Sequence, residues 1–543
     1  MASEKPETRR SAEQADHVEI PDGTTAKHDD VVLNAAAKGQ AMTGFETLTL
    51  RETALKFKLC SAVCFAAAFS AATDGFQIGI NASIVANKGF VAEFATKTNE
   101  EGELYLESPI LSGWGSIMSV GQILGMVTLP FISNRFGRKI AMYTYWCILA
   151  LSVLTESVAR TWPVWLIAKL LAGIGVGCMQ STLPTYIAEV APTRIRGALL
   201  MCYSLWWTIG VFCAHLSLNQ LNKRHPENWL TPIYVQWAQI GLMLIIYVFL
   251  PESPAWCITQ GYTERARKEL QTLYRRVDDF DINHQIEVLT LSVEHEKAIA
   301  AEQNREKWYS IFRGVNGFRT LVSLWTNMSQ QFIGLTLFST FGTYFFQQAG
   351  VSQPFQVKVI TSSINIATVI IAVFLADWLG RRWIACCATT LSWVSCIGIG
   401  ILGVAPHVRA SDYIFVLFAC LWNVGMTGNG AAGWGFIGEI SSQRLRPYTA
   451  GFAAASTCVI GVVMNNLVPY MVNANEWNWG FKTGWFYAGV GLPFTVGMWI
   501  LIPDTSGRSA AELDELFERK IKPWRFHKTE TATQRLVTSE QHQ

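Results

Sequence analysis

The chain writes one short phrase twice, half a protein apart, and each copy sits where an apolar run ends. The first copy is Asn134-Arg135-Phe136-Gly137-Arg138-Lys139 and the second is Asp377-Trp378-Leu379-Gly380-Arg381-Arg382, an offset of 377 − 134 = 243. A second pair keeps almost the same offset: Glu189 and Arg196 are seven apart, as are Glu439 and Arg446, and 439 − 189 = 250. Two independent signatures at nearly one offset predict a duplicated helical bundle. In a membrane, such repeats enclose a midplane site between two halves that rock against each other.

The membrane reading follows from composition. Half of the residues are hydrophobic, 15% are charged, and the chain holds 21 Trp, 30 Phe and 42 Gly in 543 residues. Apolar runs long enough for a bilayer core recur at twelve places: 57–80, 109–132, 140–158, 164–188, 198–219, 232–250, 319–347, 356–376, 383–404, 411–437, 447–472 and 483–502. The expected fold is an all-α membrane protein of twelve transmembrane helices in two six-helix bundles. A cytoplasmic tail (1–56) precedes the N-terminal bundle (57–250). A helical cytoplasmic linker (251–318), the C-terminal bundle (319–502) and a second cytoplasmic tail (503–543) follow. Within the linker, two helical stretches are expected, over 263–276 and 283–302.

Orientation is read from basic residues. Arg135, Arg138, Lys139, Arg194, Arg196, Arg381, Arg382, Arg444 and Arg446 fall in short loops on one side, whereas the first loop on the other side carries Glu93, Glu100, Glu101, Glu103 and Glu107. This places both termini in the cytoplasm. No cleavable signal sequence is expected from the first 56 residues, which are polar and charged with no apolar core behind a basic start. Twelve cysteines, nearly all within apolar spans, read as free buried thiols. Asn81 fits a glycosylation pattern but stands too close to the bilayer to be used. No metal cluster, nucleotide loop, nucleophile–base pair or nucleic-acid surface stands out. Neither an enzyme nor a cofactor is expected, and the chain reads as a monomer in the lipid bilayer.

The repeated arginines have two readings. They fix topology by charge, or they gate the protein by holding carboxylates and helix-end carbonyls when the inner side closes. Topology needs charge alone, whereas a fixed spacing to Gly137 and Glu189, repeated in the second half, favours gating. The expected gating network is Arg135, Arg138, Glu189, Arg196, Asp377, Arg381, Glu439 and Arg446.

Inside the spans, helix 7 carries Gln330 and Gln331 side by side, and each strands an amide in mid-membrane unless it finds a partner. Hydroxyls of a sugar would serve, and so would neighbouring helices. Helix 1 carries Ser70, Asp74, Gln77 and Asn81 on one face, a polar stripe that must look into a cavity or onto a partner helix.

The loop repeats, Pro184-Thr-Tyr186-Ile-Ala-Glu189-Val-Ala-Pro192-Thr-Arg194-Ile-Arg196-Gly197, Pro251-Glu252-Ser253-Pro254 and Pro503-Asp504-Thr505-Ser506-Gly507-Arg508 together resemble the sugar porter family of the major facilitator superfamily, over roughly residues 55 to 520. The likeness is to its fungal hexose and α-glucoside transporters. It implies that Gln330 and Gln331, in the Gln-Gln-x-x-Gly pattern, contact the sugar, with Asn365 and the stacking Trp434 beside them. Thr336, Ser204 and Gln77 stand at further substrate positions of the family. Several of these depart from the family pattern: Thr336 replaces an Asn, Ser204 a Gln, and Thr340 and Phe341 a tyrosine pair. Such changes suit a bulkier substrate or one with fewer hydroxyls than glucose.

Gln77 stands where proton-coupled relatives have a carboxylate, and a glutamine does not titrate. Asp74, one turn away, and Lys169, at the family's basic position, are the expected coupling pair; a permanent structural Asp–Lys pair is the competing reading. The implied function is a plasma-membrane secondary carrier of a mono- or disaccharide or similar polyhydroxylated solute, by proton symport. The alternatives are a facilitative uniporter, an exporter of a sugar-like metabolite and a non-transporting sugar sensor.

Overall fold

The computed structural model describes residues 50–529 apart from 100–101, 276, 278–279, 304–307, 407–408, 442–444 and 506–509. Among the described residues, eleven helices are long and apolar enough to cross a membrane. In chain order the long helices are α1 (Lys58–Ile84), α2 (Ser108–Phe136), α3 (Arg138–Val158), α4 (Trp162–Val190), α5 (Thr193–Arg224) and α6 (Thr231–Phe249), then α7 (Gly314–Phe332), which is not one of those eleven, α8 (Pro354–Leu379), α9 (Arg381–Leu402), α10 (Arg409–Ile440), α11 (Arg446–Val472) and α12 (Thr483–Leu501). Below, the side on which α1 begins and α12 ends is the near side, and the opposite is the far side.

The seventh span, expected as one run over 319–347, is instead assembled from pieces. After Phe332 the chain turns at Gly334 (φ +99°), passes through a wide π-helical turn at Thr336–Thr340 and resumes as Gly342–Gln348. Only glycine accepts that φ without strain. A break inside a membrane frees backbone carbonyls, and each needs a donor. Trp422 Nε1 (2.8 Å) and Cys396 Sγ (3.4 Å) donate to the Ile333 carbonyl. The ammonium of buried Lys358 donates to the Phe338 carbonyl.

Helices approach closely where glycines allow it. Gly121 and Gly125 of α2 face Gly173 and Gly177 of α4, and a Cβ on Gly125 would stand 2.2 Å from the Ile174 carbonyl oxygen. The outer faces are apolar: Phe131, Ile245, Phe249 and Val404 are all exposed, as lipid-facing positions must be.

The duplication is visible in the backbone. Gly137 (φ +113°) and Gly380 (φ +78°) each close one helix and open the next, at the two copies of the phrase. The basic residue two places on caps the sixth helix of its own half: Lys139 Nζ donates to the carbonyls of Val248 (3.1 Å) and Leu250 (2.8 Å), and Arg382 donates to that of Trp499 (2.9 Å).

Between the halves, the helices Pro254–Thr259, Thr263–Tyr274 and Ile282–Gln303 pack around Trp256, Cys257, Leu270 and Ile286. They dock on the α2–α3 turn through Trp256 Nε1 and Gln260 Nε2, both 2.9 Å from the Asn134 carbonyl oxygen. The C-terminal segment, read from sequence as a plain tail, contains the helix Ala510–Glu518. Its Leu513, Leu516 and Phe517 bury against Val322 and Met498. The cysteines are free, although Cys147, Cys213 and Cys387 face outward rather than into the core.

Candidate functional site

Hydrogen bonds join the two bundles at their far ends. Ser83 Oγ of α1 lies 2.5 Å from Thr343 Oγ1 of the resumed seventh span. Ser112 Oγ of α2 donates to the Asn466 carbonyl of α11 (3.0 Å), and Asn465 and Asn466 Nδ2 donate to Ser119 (3.1 Å) and Ser116 (2.8 Å). His215 Nδ1 of α5 lies 2.6 Å from Ser362 Oγ of α8. Phe341 and Asn465 fill the space before Gly115, where a Cβ would touch both at 3.3 Å. The far side is therefore latched shut by small polar groups, which part more cheaply than an apolar core.

In the C-terminal half, the glutamines of α7 sit immediately before the break. Gln330 is half-buried, and its Nε2 donates to Asn429 Oδ1 of α10 (3.1 Å). Asn429 Nδ2 in turn donates to Ser329 Oγ (3.0 Å) and Thr389 Oγ1 (2.5 Å), which ties α7, α9 and α10 together. Gln331 Oε1 accepts from Thr336 Oγ1 (3.2 Å), and its Nε2 looks across to Gly461 of α11, 3.5 Å from where a Cβ would stand. Thr336 is thus bound to the glutamine. Asn365 Oδ1 of α8 accepts from Thr427 Oγ1 of α10. Ser204 is exposed on α5, and its carbonyl accepts from Thr208 Oγ1. The side chain of Trp434 lies outside the described residues. Asn429, which the sequence reading missed, lies five residues before Trp434 on α10, and its polarity within an apolar run was the available signal.

The N-terminal half buries ions instead. Lys169 of α4 forms a 2.8 Å salt bridge with Glu156 of α3, their side chains 2% and 0% exposed. Glu156 also accepts from Gln77 of α1 and, at 3.2 Å, from Gln236 Nε2 of α6. The Lys169 ammonium lies 4.2 Å from the centre of the Trp165 ring. The expected Asp74–Lys169 pairing is not made. Asp74 Oδ2 accepts from Gln180 Nε2 (3.0 Å), eleven residues beyond Lys169 on α4. At about 1.5 Å per residue those two α4 positions differ by roughly 16 Å along the helix, so one α1 residue does not reach both.

Gln77, expected at the substrate, is committed to Glu156 instead. The polar stripe of α1 as a whole faces partner helices: Tyr247 of α6 donates to Ser70 Oγ (2.7 Å), Asp74 meets α4, Gln77 meets α3 and Asn81 meets Met118 of α2. Glu156 went unread because it falls in the last turn of its span, where a carboxylate passes for an interface residue.

On the near side, Arg138 grips Glu189 with both ends of its fork (Nε–Oε2 3.1 Å, NH2–Oε1 2.7 Å) and also donates to Ser133 Oγ (2.7 Å) and Asn134 Oδ1 (2.8 Å). Glu252 accepts the backbone N–H groups of Arg138 (3.0 Å) and Lys139 (3.2 Å), which seats the linker under this corner. Burial pushes the Glu252 carboxyl up, and those N–H groups oppose the shift. Arg135 is exposed, over the ring of its neighbour Phe136, and does not meet Glu189. Arg196 is half-buried near Tyr274 of the linker, and Arg381 is exposed. The side chains of Asp377, Glu439 and Arg446 lie outside the described residues.

A family profile described as "Sugar (and other) transporter" matches residues 63–517. The general alpha-glucoside permease of Saccharomyces cerevisiae is 25% identical over 536 residues, covering 96% of this chain and 86% of the permease. The MFS transporter fmqE of Aspergillus fumigatus is 27% identical, over 84% and 85% of the two chains. Among solved structures, the E. coli xylose transporter XylE in an inward-open conformation superposes with a TM-score of 0.66 at 19% identity, over 84% of this chain and 99% of XylE. XylE, described as a proton:xylose symporter, bound to 6-bromo-6-deoxy-D-glucose gives 0.64 over the same shares.

Proposed function

This multi-pass membrane protein belongs to the sugar transporter family of the major facilitator superfamily, a family of transporters rather than enzymes, and we propose that it carries a mono- or disaccharide across the plasma membrane by alternating access, together with a proton. In this reading the near side is cytoplasmic and the far side extracellular. The observation that carries it is the pair of glutamines before the break in α7. Gln330 is held by Asn429, and Gln331 turns an amide nitrogen towards the side-chain-free position at Gly461. Amides fixed by protein partners yet keeping spare donors and acceptors suit a ligand made of hydroxyls. The name of the permease supports a glucoside among the substrates.

Facilitated diffusion is the second reading, because Gln77 occupies the helix 1 position where coupled relatives carry a carboxylate. Uptake of labelled glucose, xylose, maltose, a polyol and an organic acid into cells lacking their own carriers, at two external pH values with and without an uncoupler, tests both. Accumulation of a sugar that collapses with the uncoupler is expected. Equilibration without accumulation would establish the uniporter, and uptake of the organic acid alone would remove sugar as the substrate. Gln330→Ala and Gln331→Ala are each expected to weaken sugar affinity about tenfold, roughly 1.4 kcal/mol.

A further inference from the structure

We propose that Glu156, on α3, is the group that binds the coupling proton, and that Gln77 reports its charge to the far-side latch; this rests on the symport reading above. Every member of the buried cluster has a partner in either protonation state. With Glu156 ionised, its Oε1 accepts from Lys169 Nζ at 2.8 Å and from Gln77 Nε2, and its Oε2 accepts from Gln236 Nε2 at 3.2 Å. Gln77 Oε1 is buried and takes no hydrogen bond in this arrangement. A protonated Glu156 offers an O–H donor, and a half-turn of the Gln77 amide presents that idle oxygen to receive it. Lys169 keeps the face of Trp165, 4.2 Å away, when the carboxylate charge is lost. A permanent salt bridge has no use for a buried, unsatisfied acceptor beside it; a site that alternates between charge states does.

The surroundings isolate this exchange. Lys169 of α4 is the charged group facing Glu156, while α1 and α6 contribute the amides Gln77 and Gln236. Asp74, three residues before Gln77, is turned to Gln180. Over the cluster, Trp165 joins Phe90, Phe94, Trp114 and Trp229 in an aromatic plug near the far ends of the helices.

The link to conformation is α1 itself. Gln77 lies six residues before Ser83, whose hydroxyl meets Thr343 in the latch, so the same helix end holds both contacts. Opening the far side parts Ser83 from Thr343, shifts α1 and admits water to Glu156. There a hydronium gives its proton to Oε1 and leaves as water, with Lys169 remaining an ammonium. When the far side closes and the near side opens, the acid returns that proton to water as hydronium. One positive charge crosses with each neutral sugar.

The test uses the full chain in liposomes carrying a trapped pH dye, with external glucose and maltose as probes and sugar counterflow measured on the same vesicles. The wild type is expected to acidify the lumen when sugar is added. Glu156→Gln is expected to lose at least ten-fold of that proton influx while keeping counterflow, with the pH dependence of uptake abolished. The swap Glu156→Gln with Gln77→Glu puts the carboxylate back across the same contact and is expected to restore influx; this arm also decides the case in which the single variant fails to fold. Proton influx surviving in Glu156→Gln, or a swap variant that does not restore it, overturns the assignment. A wild type that performs counterflow with no sugar-linked proton influx would sink the symport reading itself.

Discussion

The two bundles descend from one repeated plan yet bury different chemistry. The N-terminal half encloses an ion pair, Lys169 with Glu156, and holds it with amides from two further helices. The C-terminal half encloses amides and hydroxyls, with Gln330, Asn429, Ser329 and Thr389 in one chain of hydrogen bonds and Asn365 with Thr427 in another. Its buried Lys358 has a backbone carbonyl of the broken seventh span as its partner, and so serves structure where Lys169 serves a carboxylate. Neutral donors and acceptors recognise hydroxyls without the desolvation cost of an ion, whereas a buried ion pair is costly to break on one side only. Duplication thus conserved the scaffold, and each half was free to specialise.

That contrast is open to direct attack. The largest effect is expected from Lys169→Met, which strands the Glu156 carboxylate: a loss of about 3–5 kcal/mol, read as thermal unfolding in detergent. Pairing it with Glu156→Leu should recover most of the loss, and equal instability of single and double variants would mean that the pair is not what locks this half. In the other bundle, Asn429→Ala is expected to cost about 1–3 kcal/mol, because Gln330, Ser329 and Thr389 all lose a partner. Sugar affinity should fall with it, and a titration showing unchanged affinity would detach the amide chain from the substrate.

Arg138→Ala removes the forked contact to Glu189 at the near side. It is expected to shift the resting population by about 1–2 kcal/mol towards the state open on that side, as faster maleimide labelling of a near-side cysteine. The smallest effect is expected from Ser83→Ala, about 1 kcal/mol, since it deletes a single hydroxyl from a latch of several. Labelling there should move in the opposite direction, towards a far-side-open population. A larger shift from Ser83→Ala than from Arg138→Ala would reverse the roles of the two sides.

The sequence by itself determined the architecture. Long apolar runs have no stable home outside a bilayer, and the doubled loops at Gly137 and Gly380 follow from a motif legible as letters, whereas the capping of each half's sixth helix by Lys139 and Arg382 came from the structure. It also determined that Gln330, Gln331, Asp74 and Lys169 are polar groups in apolar spans and so must have partners. Only the tertiary structure decided which partners. Side chains hydrogens-bond across helices according to depth and facing, and depth is set by helix register, tilt and glycine-mediated closeness that no linear spacing encodes. A roughly 16 Å difference along α4 assigned Asp74 to Gln180 and left Lys169 to a glutamate on α3 that the one-dimensional reading had passed over.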